Sequence, residues 1–280
     1  MNIYIIGIGL IGGSFALSMR NLGLATKIYA SDKSQKNVDK ALELGIIDEV
    51  VELDRGVECA DLIVITTPVN TVPMMAIKVL NRVRPDQVVI DMGSIKEELC
   101  EAISLHANRA RFVATHPMWG TENSGPQSAV STGFKGRTMV ICEAEQSDPM
   151  AVELIEKIFT TIGMPIVKMN AEEHDLHVAY ISHISHVTSY ALALTVLEKE
   201  REEQRIFDLA GGGFESTVRL AKSSVDMWLP IFMHNKYNLL DVLREHIHQL
   251  QVMRKAIEAD DIETLHTMIA RANTIRDIIK

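Results

Sequence analysis

The sequence predicts an α/β domain built on a doubly wound parallel sheet, followed by an all-α domain. Three observations carry this. Through Met169, short Val- and Ile-rich runs alternate with helical patterns, as in a parallel sheet covered on both faces. The first run leads directly into Gly7, Gly9 and Gly12, a glycine spacing that belongs between a strand and a helix. After Asn170 the strand-like runs stop and long stretches of helical periodicity take over. The expected division is residues 1–169 and residues 170–280.

The chain opens MNIYIIGIGLIGGSF. No Lys or Arg precedes Arg20, so the segment lacks the charged start of a secretory signal. Its apolar run is also shorter than the ~20 residues that cross a bilayer. Ile3 to Ile6 reads as a strand, and Leu10, Ile11, Ser14, Phe15, Leu17 and Ser18 read as a helix. The intervening G-x-G-x-x-G is the fingerprint of a Rossmann-type dinucleotide site. Gly7 permits the tight turn, Gly9 the approach of a pyrophosphate, and Gly12 the close packing of helix on strand. Leu10 and Ile11 open the helix whose N-terminus receives the pyrophosphate.

A second strand is expected from Lys27 to Ala30. Asp32 follows it, twenty residues after Gly12. A carboxylate there accepts from the ribose 2′-OH of NAD and repels the 2′-phosphate of NADP. Capping the next helix is the other use for Asp32, and Ser34 is placed to do that instead. The runs ADLIVITTP, DQVVIDMGS, RFVATHP, GRTMVIC and MPIVKM supply further strands. Ligands of such sheets bind beyond the carboxyl ends of the strands. Those ends carry Thr66-Thr67-Pro68, Asp91-Met92-Gly93-Ser94 and Thr115-His116-Pro117. Thr66, Thr67 and Pro68 thus join the glycines and Asp32 as expected cofactor contacts.

Beyond Asn170, EEHDLHVAYISHISHVTSYALALTVLEKE is helical over nearly its whole length, and most of the remaining chain follows suit. Apolar stretches such as YALALTV exceed what one small helical domain needs to bury, which points to dimerisation through these helices. The 280 residues are 47% hydrophobic and 23% charged, enough for two cores. Net charge is −9, which argues against a nucleic-acid binder. Cys59, Cys100 and Cys142 are scattered, with no C-x-x-C, so neither a disulfide framework nor a structural zinc site is expected and a cytoplasmic setting fits.

Four constellations could carry chemistry. His116, just past a strand end, lies where a nicotinamide would reach and can accept a proton at neutral pH; a loop histidine bonded to backbone is the alternative. Ser94 ends another strand, where it either faces the ligands or caps the next helix in a capping box with Glu97. Asp175, Ala179, Ser182, His183 and His186 share one face of an α-helix, and His177 points away. That face suits a metal or a substrate pocket, and without a further ligand motif the pocket is preferred and no metal is expected. Arg219 follows three glycines and could clamp a carboxylate, or sit in a surface salt bridge. Trp228 and Phe214 read as core.

Together, GIGLIGGS, DMGSIK, THPMWGTENSG, HDLHVAYISHISH and GGGFESTVRLAKSSVDMW, with Asn235 beyond them, resemble the prephenate/arogenate dehydrogenase family over essentially the whole chain. The H-P-M-x-G-x-E-x-S-G and G-G-F…R-x-A…W segments are the specific ones. The resemblance implies an NAD-dependent oxidation in which hydride leaves a ring carbinol, CO₂ leaves the opposite ring carbon, and the ring becomes aromatic. Prephenate gives 4-hydroxyphenylpyruvate; arogenate gives tyrosine. It further implies that His116 accepts from the ring hydroxyl, that Ser94 lies near that hydroxyl, and that Arg219 holds a substrate carboxylate. His186 and His183 line the side-chain pocket, Glu122 stands at its mouth, and Trp228 is an aromatic wall reaching across a homodimer. Two stretches depart from the family's usual pattern, Ser182-His183-Ile184-Ser185-His186 and Ser216-Thr217-Val218-Arg219. The competing readings are a β-hydroxyacid-type dehydrogenase, which would rely on a lysine in the helical domain, and a non-catalytic NAD-sensing protein.

Overall fold

The computed structural model describes residues 1–279. The first part alternates strand and helix: β1 (Asn2–Ile6), α1 (Leu10–Asn21), β2 (Lys27–Ser31), α2 (Gln35–Glu43), β3 (Glu49–Val50), α3 (Leu53–Cys59), β4 (Leu62–Ile65), α4 (Val72–Leu80), β5 (Val88–Asp91), α5 (Glu97–Ile103), β6 (Phe112–Pro117), β7 (Met139–Cys142), α6 (Pro149–Ile162) and β8 (Ile166–Met169). Among the described residues these eight strands form one sheet in the order β3-β2-β1-β4-β5-β6-β7-β8. The order reverses between β1 and β4, so a crevice opens there beyond the carboxyl ends of both strands.

Strand alternation builds the two faces. Ile3, Ile5, Leu62, Val64 and Ile90 point to one side, where Phe15 and Met19 of α1 and Ile155 and Phe159 of α6 cover them. Tyr4, Ile6, Ile63, Ile65 and Val89 point to the other, under Val79 and Leu80 of α4 and Leu99 and Ile103 of α5. Burying each such side chain is worth about 1.5–3 kcal/mol. This is why the strands read as continuous apolar runs.

Two strands depart from the parallel expectation, since β8 pairs parallel to β7 and so runs with it against the first six. GRTMVIC forms β7, which runs antiparallel to β6, with Ala114 opposite Cys142 and Pro117 opposite Met139. A parallel return needs a crossover, usually a helix. Between Pro117 and Met139 the chain offers only a single 3₁₀ turn at Pro126–Ser128.

The helices that follow are α7 (Ala171–Val178), α8 (Ile184–Glu203), α9 (Gly212–Val218) and α10 (Val225–His234). One wide π turn, Ala179–His183, joins α7 to α8. The chain forms two compact units, the first running from Met1 to Asn235 and the second beginning at Lys236. The unit that holds the sheet therefore continues past the change of texture at Asn170 and includes α7 to α10. The second unit is a helical hairpin of α11 (Lys236–Glu258) and α12 (Ile262–Asn273), with Asp261 capping α12 by accepting from Thr264 N. Among the described residues, no helix is long and apolar enough to cross a membrane.

Candidate active site

The glycine loop leaves β1 at the switch point. Gly7 has φ +99°, a conformation costly for any residue with a side chain, and a Cβ there would also crowd the Thr66 carbonyl at 2.8 Å. A side chain at Gly12 would run into the Gly7 carbonyl and into Thr66 Oγ1. Thr66 Oγ1 itself donates to the Gly7 carbonyl, which ties the end of β4 to the loop. A Cβ at Gly9, by contrast, would meet nothing within 4 Å. The loop is thus packed tightly on one side and open on the other.

Gly9 caps α1, and the N–H groups of Leu10, Ile11 and Gly12 form its first turn, without intrahelical acceptors. An open, positive helix end of this kind receives a pyrophosphate. Asp32 lies beside it. Its Oδ2 accepts from Ile8 N at 2.8 Å and its Oδ1 from Ser34 N at 2.8 Å. Ser34 caps α2 by accepting from Asn37 N. Thr67 accepts from Thr71 at 2.9 Å, and Pro68 is exposed. The glycine loop, Thr66 and Asp32 are therefore held together beyond β1, and the open side of the loop at Gly9 fits the group.

His116 stands at the carboxyl end of β6, the same end of the sheet as the glycine loop, and is partly exposed. Its Nδ1 lies 2.8 Å from Nε2 of His174, and Nδ1 of His174 lies 2.7 Å from Oδ1 of Asp175. His174 and Asp175 are each 1% exposed. Burial, with His174, Lys96 and His183 nearby, holds the His116 imidazole well below the usual histidine range. Burial also lowers His174, against the pull of Asp175, and brings His183 down to about 4. The site therefore presents neutral imidazoles at physiological pH.

Ser94 is half-buried beyond β5, but it does not cap the next helix. The expected capping box with Glu97 is absent because α5 begins only at Glu97, which makes Lys96 the cap position and leaves Ser94 two residues too early. The carboxylate of Asp175 caps α5 instead, accepting from Lys96 N at 2.8 Å and Glu97 N at 2.9 Å. Lys96 and Asp91 form a wholly buried ion pair just beneath, and Asp91 also accepts from Gly93 N and Thr115 N.

His183 and His186 are buried, as is Asp175 on the same helical stretch. Trp228 stacks on His186, with ring centroids 3.4 Å apart and planes 24° from parallel, and meets His183 edge-on. Its indole packs within its own chain, against Ile95 and Ile231, because α10 lies over the loop that precedes α5. Arg219 and Glu122 form an ion pair at the edge of this region, with the Arg219 side chain about half exposed.

His174 was invisible to periodicity. On a regular helix it falls on the opposite side from His183. The π turn at Ala179–His183 sets the register back by roughly a quarter turn, which brings His174 round toward the site. Lys96 and Asp91 carried no signal of pairing beyond their closeness in DMGSIK.

Residues 15–168 match the family model described as prephenate dehydrogenase, nucleotide-binding domain, and residues 170–271 match prephenate dehydrogenase, dimerization domain. The chain is 31% identical over 278 residues to prephenate dehydrogenase of Bacillus subtilis (strain 168), covering 98% of this chain and 75% of that protein. It is 30% identical over 262 residues to cyclohexadienyl dehydrogenase of Zymomonas mobilis, covering 93% and 89%. The solved structure of prephenate dehydrogenase from Aquifex aeolicus in complex with hydroxyphenyl propionate and NAD+ superposes with a TM-score of 0.91 at 30% identity, over 100% of this chain and 98% of that one. With both parts of the chain matched and the fold shared end to end, this protein belongs to the prephenate dehydrogenase family.

Proposed function

We propose that this chain is an NAD-dependent dehydrogenase that converts prephenate to 4-hydroxyphenylpyruvate and CO₂ on the route to tyrosine. The observation that carries the reading is His116, a neutral imidazole at the same end of the sheet as a dinucleotide cradle. Gly7, Gly9, Gly12, Leu10, Ile11, Asp32, Thr66, Thr67 and Pro68 would hold NAD, which when bound supplies the acceptor for hydride from the ring carbinol. His116 receives the hydroxyl proton as the carbinol becomes a carbonyl. The bond to the opposite ring carboxylate then breaks, and its electron pair enters the ring as CO₂ departs. The proton returns from His116 to the oxygen, and the product is a phenol. Ser94 supports the reacting hydroxyl. Arg219, oriented by Glu122, holds a substrate carboxylate, and His183, His186 and Trp228 line the side-chain pocket.

Arogenate differs from prephenate only in an alanyl side chain and is the alternative substrate; the Zymomonas mobilis relative is named for the cyclohexadienyl ring that both share. The test is NADH formation with prephenate, with arogenate and with a panel of 3-hydroxy acids. Turnover of a cyclohexadienyl substrate supports the reading. Turnover of 3-hydroxy acids alone would favour a β-hydroxyacid dehydrogenase, and no turnover at all an NAD-sensing protein.

The protein is read as a cytoplasmic homodimer, with residues 170–280 as its substrate and dimerisation domain. Three unpaired cysteines suit a reducing compartment. Leu194 and Leu197 on α8 and Val225, Leu229 and Met233 on α10 are exposed apolar side chains that a second copy would cover. Light scattering should give twice the 31.2 kDa chain mass, and a monomer at micromolar concentration would overturn this assignment.

A further inference from the structure

We infer that Asp175 is a positioning residue that gives two histidines of the site opposite hydrogen-bonding characters, so that His116 presents a bare acceptor nitrogen and His183 presents an N–H donor. This rests on the reading of His116 as the group that receives the substrate's hydroxyl proton.

The first half follows from the side chain of Asp175. Its two oxygens already accept from the backbone N–H groups of Lys96 and Glu97. At 2.7 Å from Oδ1, Nδ1 of His174 must therefore be the donor. A neutral imidazole protonated at Nδ1 has its lone pair at Nε2. That nitrogen lies 2.8 Å from Nδ1 of His116, so His116 must donate from Nδ1. The remaining nitrogen of His116, Nε2, is then an acceptor.

The second half follows from the backbone of Asp175. Its carbonyl can only accept, so the group of Asn235 that approaches it at 2.7 Å is the amide nitrogen Nδ2. The same Nδ2 lies 3.1 Å from Nδ1 of His183. Nδ1 of His183 is therefore the acceptor, and its proton sits on Nε2. One residue thereby sets two tautomers through two separate routes. His116 is suited to take a proton from a hydroxyl, and His183 to donate to a substrate oxygen.

The neutral state that the argument requires agrees with the depressed proton affinity of all three rings. The charged groups around them are Lys96, Asp91 and Asp175 itself. The pairing of Lys96 with Asp91 leaves the Asp175 carboxylate to the backbone and to His174.

The test reads the protons directly. Long-range proton–nitrogen spectra of uniformly ¹⁵N-labelled protein distinguish protonated from bare imidazole nitrogens, and loss of signals in His116→Asn and in His183→Asn assigns the two rings. The expected result at neutral pH is His116 protonated at Nδ1 and bare at Nε2, with His183 the reverse. Finding His116 protonated at Nε2 overturns the inference. In His174→Phe, which keeps the ring volume but offers no acceptor, His116 should shift toward the Nε2–H form. The kcat should then fall at least about 10–100-fold, the range for losing the outer partner that orients a metal-bound histidine, with KM for the ring substrate little changed. His174→Gln keeps an acceptor oxygen and should recover part of both signals. A folded His174→Phe with an unchanged His116 tautomer also overturns the inference. Should His174→Phe fail to fold, the wild-type spectrum and His174→Gln still decide. If the tautomers are as stated and no cyclohexadienyl substrate turns over, the functional reading fails while the assignment of Asp175 stands.

Discussion

Arg219 Nη1 lies 3.1 Å from Glu122 Oε2, joining the turn after α9 to the loop after β6 across 97 residues of sequence. Both residues were expected to touch substrate, and the structure brings them to each other. A guanidinium has five donors in a rigid fork, so a single bond to Glu122 orients Arg219 and leaves most of the fork for a carboxylate. Arg219→Ala should raise KM for the ring substrate about ten- to a hundred-fold, the worth of a lost charged hydrogen bond, and leave kcat nearly unchanged. Glu122→Gln should produce a smaller rise in KM by loosening the fork. Steady-state kinetics check both, and a fall in kcat alone for Arg219→Ala would place this side chain at the chemical step instead.

Asp32 has a second duty that bears on its use as a cofactor selector. Because Oδ2 accepts from Ile8 N, the carboxylate also pins the glycine loop. Asp32→Ala should therefore narrow the preference for NAD over NADP and also weaken NAD itself. Comparing kcat/KM for the two cofactors in wild type and variant tests this. A wild type that uses both equally would mean that Asp32 does not meet the ribose.

How much of this was legible follows from how local each demand is. The glycine loop could be read because its constraints lie within a few residues, and the structure places the loop between β1 and α1. The change from strands to helices at Asn170 was equally plain. The reversal of β7 was not, since GRTMVIC has the same apolar pattern whichever way it runs, and direction is decided by the connection. The role of Asp175 as a cap for α5 depends on a contact 79 residues away in sequence, which no local capping rule could supply. His174 was hidden because a helical wheel assumes a constant turn, and the π turn breaks that assumption.

The Lys96–Asp91 pair has both side chains fully buried, so removing one partner strands the other. Lys96→Met should cost about 3–5 kcal/mol of stability, as for other broken buried pairs. Asp91 keeps donors in Gly93 N and Thr115 N, and Asn can still accept at one oxygen. The double variant Lys96→Met/Asp91→Asn should therefore be less destabilised than Lys96→Met alone. Chemical denaturation of the two single variants and the double closes the cycle. A cost below about 1 kcal/mol for Lys96→Met would show that the pair adds little to the fold.

The last expectation concerns His116 and the direction of its pH dependence. The ring hydroxyl loses its proton as hydride departs, so its acceptor matters most in the transition state. His116→Asn should lower kcat by about 10²–10⁴-fold, the range for a lost acid–base group, with little change in KM for the ring substrate or for NAD. In the wild type the working form is the neutral ring. Burial depresses its proton affinity in the folded protein, so the neutral form survives to lower pH than it would in a free histidine. The kcat should thus stay level as pH falls through about 6.5, the unperturbed value, and drop only as pH passes through the lower folded value. His174 acts in the same direction. Its own affinity is lowered too, and once protonated it would offer an N–H toward His116 where it now offers an acceptor. The acid limb belongs to the pair, and in His174→Gln it should narrow to a single titration. An acid limb centred near 6.5 in the wild type would show His116 to be solvated and would move the base assignment to another residue.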